Sequence, residues 1–276
     1  MTAQNKPQSP PETSDQSAAS TRNPVLVERI GRGRLGGSRK LDLLAQRARH
    51  YGRRVKILDG DLRSRTLASL YPAKTEAGEL IVDGASVPPS EEQPAMHGWI
   101  FDELDQMVVD RVSRVLDLGG GDRVMQEFVR QLPVASFCRQ FGIDLLSLYM
   151  LGPDPEDFRH VLELIRSGGS ERARKLLVLN EGVIRQGQSV ESVFEPLTRL
   201  PDFRALMKDG ARVTFFRRLT CMDQVQASGL SYYDIAAGKP GADGVRPRAT
   251  MQHMVKVWLQ QFEAEQESAG TLEWLP

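Results

Sequence analysis

Cysteine is scarce, with Cys138 and Cys221 alone in 276 residues. They form no C-x-x-C pair, so neither a disulfide framework nor a cysteine metal knuckle is available. The four histidines, His50, His97, His160 and His253, lack H-x-x-x-H spacing, which removes the common zinc patterns. No apolar run reaches the roughly 18 residues of a membrane span. Net charge is absent too: 36 Lys+Arg balance 36 Asp+Glu. A globally basic nucleic-acid binder is therefore not expected. No G-x-S-x-G elbow occurs, and the first residues show no charged-then-apolar leader. These absences point to a soluble protein of a reducing, cytoplasmic compartment.

What is present is ordinary globular material, 40% hydrophobic and 26% charged, long enough for a sizeable core. Residues 1–23 are polar and rich in Pro and Ser, and are expected to form a disordered tail. Residues 24–267 read as one α/β domain, and 268–276 as a flexible C-terminal tail. Within the domain, apolar runs alternate with helical spacing. Pro24 to Ile30 predicts a strand, Arg39 to Tyr51 a helix, and Val55 to Asp59 a second strand. This is one βαβ unit of a parallel sheet. Further strands are expected at Arg114–Leu118, Asp144–Leu151, Lys175–Leu179 and Ala211–Phe216. Helices are expected at Phe101–Val109, Pro155–Arg166 and 249–267, with 72–98 as loop or short strand and 238–248 as a loop. The fold class is α/β, a mostly parallel sheet flanked by helices.

Three segments could carry chemistry. The first is Gly31-Arg-Gly-Arg-Leu-Gly-Gly-Ser-Arg-Lys40, between strand and helix. Glycines let backbone approach a phosphate, and a helix start offers free N–H groups. Gly31, Gly33 and Gly36 satisfy G-x-G-x-x-G, with Asp59 closing the next strand where a ribose would bind. That pattern predicts an NAD(P)-binding oxidoreductase, with Arg63 or Arg65 near a 2′-phosphate. The competing reading is a P-loop, with Gly36-Gly37-Ser38-Arg39-Lys40 as its G-G-x-G-K portion. A purely structural turn in a ligand-free interaction scaffold is the third possibility. The second segment is Val115-Leu-Asp-Leu-Gly-Gly-Gly-Asp122. A carboxylate at a strand end before glycines suits a magnesium site. The same string resembles the first motif of S-adenosylmethionine-dependent methyltransferases, in which Asp144 would hold a ribose. The third is Leu58-Asp-Gly-Asp61, whose paired carboxylates could orient a water or a metal, or cap a turn.

The order of Gly36 to Lys40, Asp59-x-Asp61 with Thr66, Leu116-Asp-Leu-Gly119 and Val178-Leu-Asn-Glu181 resembles ParA/MinD-type P-loop ATPases. Within these it is similar to the TraL-like branch of plasmid conjugal transfer. The resemblance covers residues 24–235. It implies ATP and Mg²⁺ as cofactors and a nucleotide sandwiched in a homodimer. It implies that Lys40 binds phosphate and Asp61 positions the attacking water. Asp117 would hold Mg²⁺ through water, with Asp59 beside it, and Asn180 would recognise the adenine edge. Partners would belong to a transfer, partition or positioning apparatus.

The departures from that family are specific. Leu35, preceded by Arg34, stands at the family's signature-lysine position, Arg39 replaces a loop glycine, and Leu41 stands where a hydroxyl would bind Mg²⁺. Weak or absent ATP hydrolysis is expected. Residues 31–65 carry eleven Lys/Arg against three acids, a local net of +8. That region could meet DNA nonspecifically. The last helix has an apolar stripe of Met251, Met254, Val255, Val257, Trp258 and Phe262, read as packing against the sheet.

Overall fold

A computed structural model describes residues 22–75, 77–118, 122–167 and 173–276, with the side chains of 122–126 outside the description. Residues 1–21 of the expected disordered tail (1–23) and the cluster Gly119–Gly121 therefore lie outside the described residues.

The first strand, β1 (Val25–Ile30), is mostly aliphatic and buried from Val25 to Arg29. Such runs belong in the middle of a parallel sheet covered on both sides. A glycine turn leads into α1 (Gly37–His50), whose Leu41, Leu44, Ala45 and Ala48 recur at helical spacing and are fully buried. Next come β2 (Val55–Asp59), α2 (Thr66–Leu70), α3 (Gln93–Asp110), β3 (Ser113–Asp117), α4 (Asp122–Gln131) and α5 (Val134–Gln140). Then follow β4 (Asp144–Leu151), α6 (Pro155–Arg166), β5 (Arg174–Asn180), α7 (Val190–Thr198), α8 (Pro201–Lys208) and β6 (Arg212–Phe216). The chain finishes with α9 (Met222–Ala227), α10 (Tyr232–Ala236) and α11 (Ala249–Ser268). The predicted loop over 72–98 is shorter than expected. Helix α3 already starts at Gln93, because Pro94 fits a first helical turn where its missing N–H is harmless.

All six strands run parallel, in the order β2-β3-β1-β4-β5-β6. Val25, Val27, Leu41, Leu44, Val255 and Trp258 share the core on the α1/α11 face. Leu26, Leu116, Trp99, Leu104 and Phe128 fill the face under α3, α4 and α5. Tyr149, Leu177, Phe158 and Phe194 complete it under α6 to α8. The result is the expected α/β architecture in three layers.

Parallel strands place all carboxyl ends on one edge, where ligands bind in such sheets. The chain reverses its direction of growth at β1, which lies between β3 and β4. That order corrects the dinucleotide reading. In the Rossmann order the second strand neighbours the first. Here β3 separates β2 from β1, so the Asp59 end is one strand away from the glycine loop. The methyltransferase reading meets a similar obstacle. Asp144 is the first residue of β4, paired with Val25 at the amino end of the sheet, and binds Arg174 at 3.0 Å.

Residues 268–276 are not a loose tail. Thr271 and Leu275 are fully buried, and the Thr271 hydroxyl bonds Gln266. The segment closes the lower end of the α1/α11 core, with Trp274 packed against it. The apolar stripe of α11 faces the sheet as expected, and the Trp258 indole donates to the Arg217 carbonyl at 2.8 Å. No described helix is long and apolar enough to cross a membrane.

Candidate functional site

The loop from Gly31 to Gly36 leaves the carboxyl end of β1 at the reversal point. Gly31 sits at φ +130°, and a Cβ there would meet the Met150 carbonyl at 3.0 Å. Gly36 is the N-cap of α1 in the left-handed region, φ 78°. Both positions need glycine for backbone reasons. Helix α1 then begins at Gly37, so its first N–H groups face the loop.

This helix start sets the register. Counted back from it, the loop reads Gly31-Arg-Gly-Arg-Leu-Gly36-Gly37-Ser38. That is the G-x-x-x-x-G-K-[ST] spacing with glycine in the lysine position. Ser38 occupies the hydroxyl position, and its Oγ donates to Asp117 Oδ2 at 2.5 Å. Asp117 ends β3, the strand next to β1, and is 1% exposed. The register expected from sequence, with Lys40 and Leu41 in the lysine and hydroxyl positions, lies three residues later. The structure places the hydroxyl at Ser38 and leaves Leu41 as fully buried core.

Lys40 does not reach the loop's open side. It lies one turn into α1 and is fully buried. Its Nζ lies 4.3 Å from the Phe262 ring centre and 5.2 Å from that of Phe216. It makes no hydrogen bond among the described residues. Burial pushes its pKa down to about 7, with Glu265 and Glu263 opposing. Arg39 is also turned away from any phosphate path. It lines an open cleft of about 690 Å³ between α1, α2, α9 and α10, beside Asp42 and Tyr232.

Asn180, at the end of β5, braces the loop. Its Nδ2 donates to the Leu35 carbonyl at 2.7 Å and its Oδ1 accepts from Gly182 N–H at 2.8 Å. Both ends of this buried amide, the residue expected at an adenine edge, are engaged by backbone. A Cβ on Gly36 would stand 2.6 Å from Asn180 Nδ2, so the glycine and the amide fit together.

Asp59 and Asp117 pair in register on β2 and β3. Asp59 is 1% exposed, and its two oxygens accept from the N–H groups of Asp61 at 3.1 Å and Ala68 at 2.7 Å. It ties the loop after β2 to α2, with each oxygen engaged by one backbone N–H. Burial raises its pKa despite those two donors. Asp61 accepts from the N–H groups of Arg63 and Ser64 with one oxygen, the turn-capping alternative. Among the described residues, no group of three His, Cys, Asp or Glu could hold a metal.

The residue that sequence reasoning missed is Arg29. It faces the same side as Val25 and Val27, at the end of a buried strand, and its side chain is 4% exposed. Its Nη2 donates to the Arg32 carbonyl in the loop at 2.8 Å, and its Nη1 lies 3.8 Å from Asp117 Oδ1. A Cβ on Gly37 would collide with Arg29, 2.8 Å from Cγ and Cδ and nearer still to Nε. The arginine fills the room a loop lysine would use. The available signal was Glu28-Arg29, two charges inside an otherwise aliphatic strand. Buried charges there demand partners, and Glu28 has one in the Ser147 hydroxyl at 2.5 Å.

The basic region 31–65 is dispersed by the fold. Arg47 pairs with Glu263 through two hydrogen bonds, Lys56 with Glu103, Arg63 with Glu91, and Arg32 with Asp157. Arg49 lies over the Tyr71 ring.

A glycine loop from the central strand into α1, with a carboxylate at the end of the adjacent strand, is the P-loop arrangement of a three-layer α/β fold. No protein-family model and no curated protein matches the chain. Solved structures similar to it include chloroplast FtsY from Physcomitrella patens, at 13% identity over 85% of this chain and 65% of that one, TM-score 0.44. FlhF complexed with GMPPNP and Mg²⁺ is 14% identical over 64% of this chain and 63% of that one, TM-score 0.42. A chain of the MinC:MinD cell division protein complex of Aquifex aeolicus is 12% identical over 88% and 96%, TM-score 0.45. The chain spans just under two thirds of the length of the FtsY and FlhF chains. This chain's own strand order and loop geometry define the fold.

The residues present fit nucleotide phosphates in part and Mg²⁺ poorly. The loop backbone and helix start can receive an anion. Ser38 and Asp117 have the chemistry of a magnesium shell, but the Arg29 guanidinium already stands against that carboxylate.

Proposed function

We propose that this chain is a P-loop-type nucleotide-binding protein with weak or no hydrolysis, acting as a scaffold or switch. The carrying observation is the loop Gly31–Ser38, braced by Asn180 on one side and joined to Asp117 through Ser38 on the other. Two polar struts on a glycine turn, one buried and one half-buried, hold its backbone in one shape, as phosphate recognition by N–H groups requires. Weak turnover follows from Gly37. Phosphoryl transfer depends on a loop lysine and a metal held in place, and this loop carries no lysine. The motif order through Asp61, Asp117 and Asn180-Glu181 supports a place beside ParA/MinD-type proteins. A role in plasmid transfer, partition or positioning rests on that motif order alone.

The test is thermal stabilisation by ATP, ADP, GTP, NAD, NADP and S-adenosylmethionine, since a ligand of the native state raises its apparent stability by mass action. A shift with ATP, ADP or GTP, without steady release of phosphate, is the expected result. A shift with NAD or S-adenosylmethionine alone would sink the reading, as would rapid hydrolysis.

A further inference from the structure

We propose that Arg29 is the resident cation of the glycine loop, replacing both the loop lysine and Mg²⁺, so that phosphate groups bind here without a divalent metal. The inference rests on the nucleotide-binding reading above and deepens it. Three observations carry it. The lysine position is Gly37, and the space a side chain would need there is filled by Arg29. The guanidinium is held from two sides, by the Arg32 carbonyl of the loop and by Asp117. Finally, it comes from β1 itself, the strand that carries the loop, so it is fixed to the loop's own base.

The chemistry follows from charge. A guanidinium presents five N–H donors in a planar fork that suits phosphate oxygens. In a P-loop the lysine and the metal supply the positive charge facing the phosphates. Here one buried cation neutralises Asp117 from 3.8 Å. A dication approaching the same carboxylate would meet that cation at close range in a poorly solvated site, where like charges repel strongly. Ser38 keeps its role as a brace on Asp117 whether or not a metal is present. Arginine at position 29 and glycine at position 37 therefore depend on each other: the first needs the room that the second leaves.

The experiment is calorimetric titration of the full chain with ADP and with ATP, in EDTA and in excess MgCl₂. The wild type is expected to bind with the same affinity, within threefold, in both conditions. Arg29→Gln is expected to lose at least tenfold in affinity, with Arg29→Lys intermediate. Because a buried substitution can unfold the protein, circular dichroism melts accompany each variant. The double variant Arg29→Ala with Gly37→Lys restores the lysine and opens Asp117, and its binding is expected to become Mg²⁺-dependent. Tighter wild-type binding in Mg²⁺ by tenfold or more would overturn the inference and leave the nucleotide reading standing. Unchanged affinity in folded Arg29→Gln would overturn it as well. Absence of any wild-type binding in either condition would instead sink the nucleotide reading, and the inference with it.

Discussion

The Ser38 hydroxyl meets the Asp117 carboxylate at 2.5 Å, joining the first turn of α1 to the end of β3. The two residues flank the loop that leaves β1. Their contact fixes where the helix begins relative to the sheet, and therefore which loop residues face outward. It also identifies Ser38 as the hydroxyl of the loop motif.

Ser38→Ala removes a hydrogen bond to a buried carboxylate. Such bonds contribute about 1.5–3 kcal/mol. A loss of stability in that range is expected in urea unfolding, with little change in slope. A neutral effect would mean that Asp117 finds equal compensation elsewhere.

Asn180→Asp exchanges the donor that meets the Leu35 carbonyl for an acceptor. Two oxygens then face each other in a buried site. A destabilisation of about 1–3 kcal/mol is expected, together with faster hydrogen exchange of amides 31–36. Faster exchange elsewhere, with the loop still protected, would show that Asn180 does not brace it.

Lys40 makes stability depend on pH. Its folded pKa is about 7, below the ordinary 10.5. Between those values the unfolded chain binds more protons than the folded one, so stability rises with pH across that window. Below about 7 both states carry the charge and this slope vanishes. Glu263 and Glu265 face the ammonium and oppose the shift without cancelling it. Lys40→Met removes the buried charge and keeps its volume. A higher melting temperature at pH 6 and a flatter profile from pH 7 to 10 are the expected outcomes, read by thermal melts across pH. An equally steep profile in the variant would assign the slope to another group.

Leu275→Ala tests the anchored C-terminal segment. Leu275 is fully buried against the α1/α11 core. Truncating a buried leucine costs about 2–5 kcal/mol. A change below about 0.5 kcal/mol, typical of surface positions, would mean that the segment is loosely held.

Much of the architecture was legible from periodicity. The aliphatic runs at Val25–Ile30, Val55–Asp59 and Asp144–Leu151 became strands close to their expected bounds, because doubly covered parallel strands need apolar side chains on both faces. The short helices α7 to α10 left weaker marks, since a five- to nine-residue helix offers too few turns for a clear stripe. The site was legible as a set of segments: the glycine loop, Asp59-x-Asp61, Asp117 and Asn180. Their contacts were not. Lys40 was the conspicuous cation near the loop, yet its place one turn into α1 turns it into the core.

The chain alone thus decided the class: alternating apolar runs and helical stripes, with a glycine turn after the first strand, allow little besides a parallel α/β sheet. Which charge serves the loop depended on strand order and helix register. Placing β3 between β2 and β1 moved Asp59 away from the loop and brought Asp117 to it. Starting α1 at Gly37 put Ser38 on Asp117 and gave Arg29 the space of the missing lysine. Those are contacts between residues distant in sequence or on different elements, and local pattern carries no information about such meetings until the sheet has assembled.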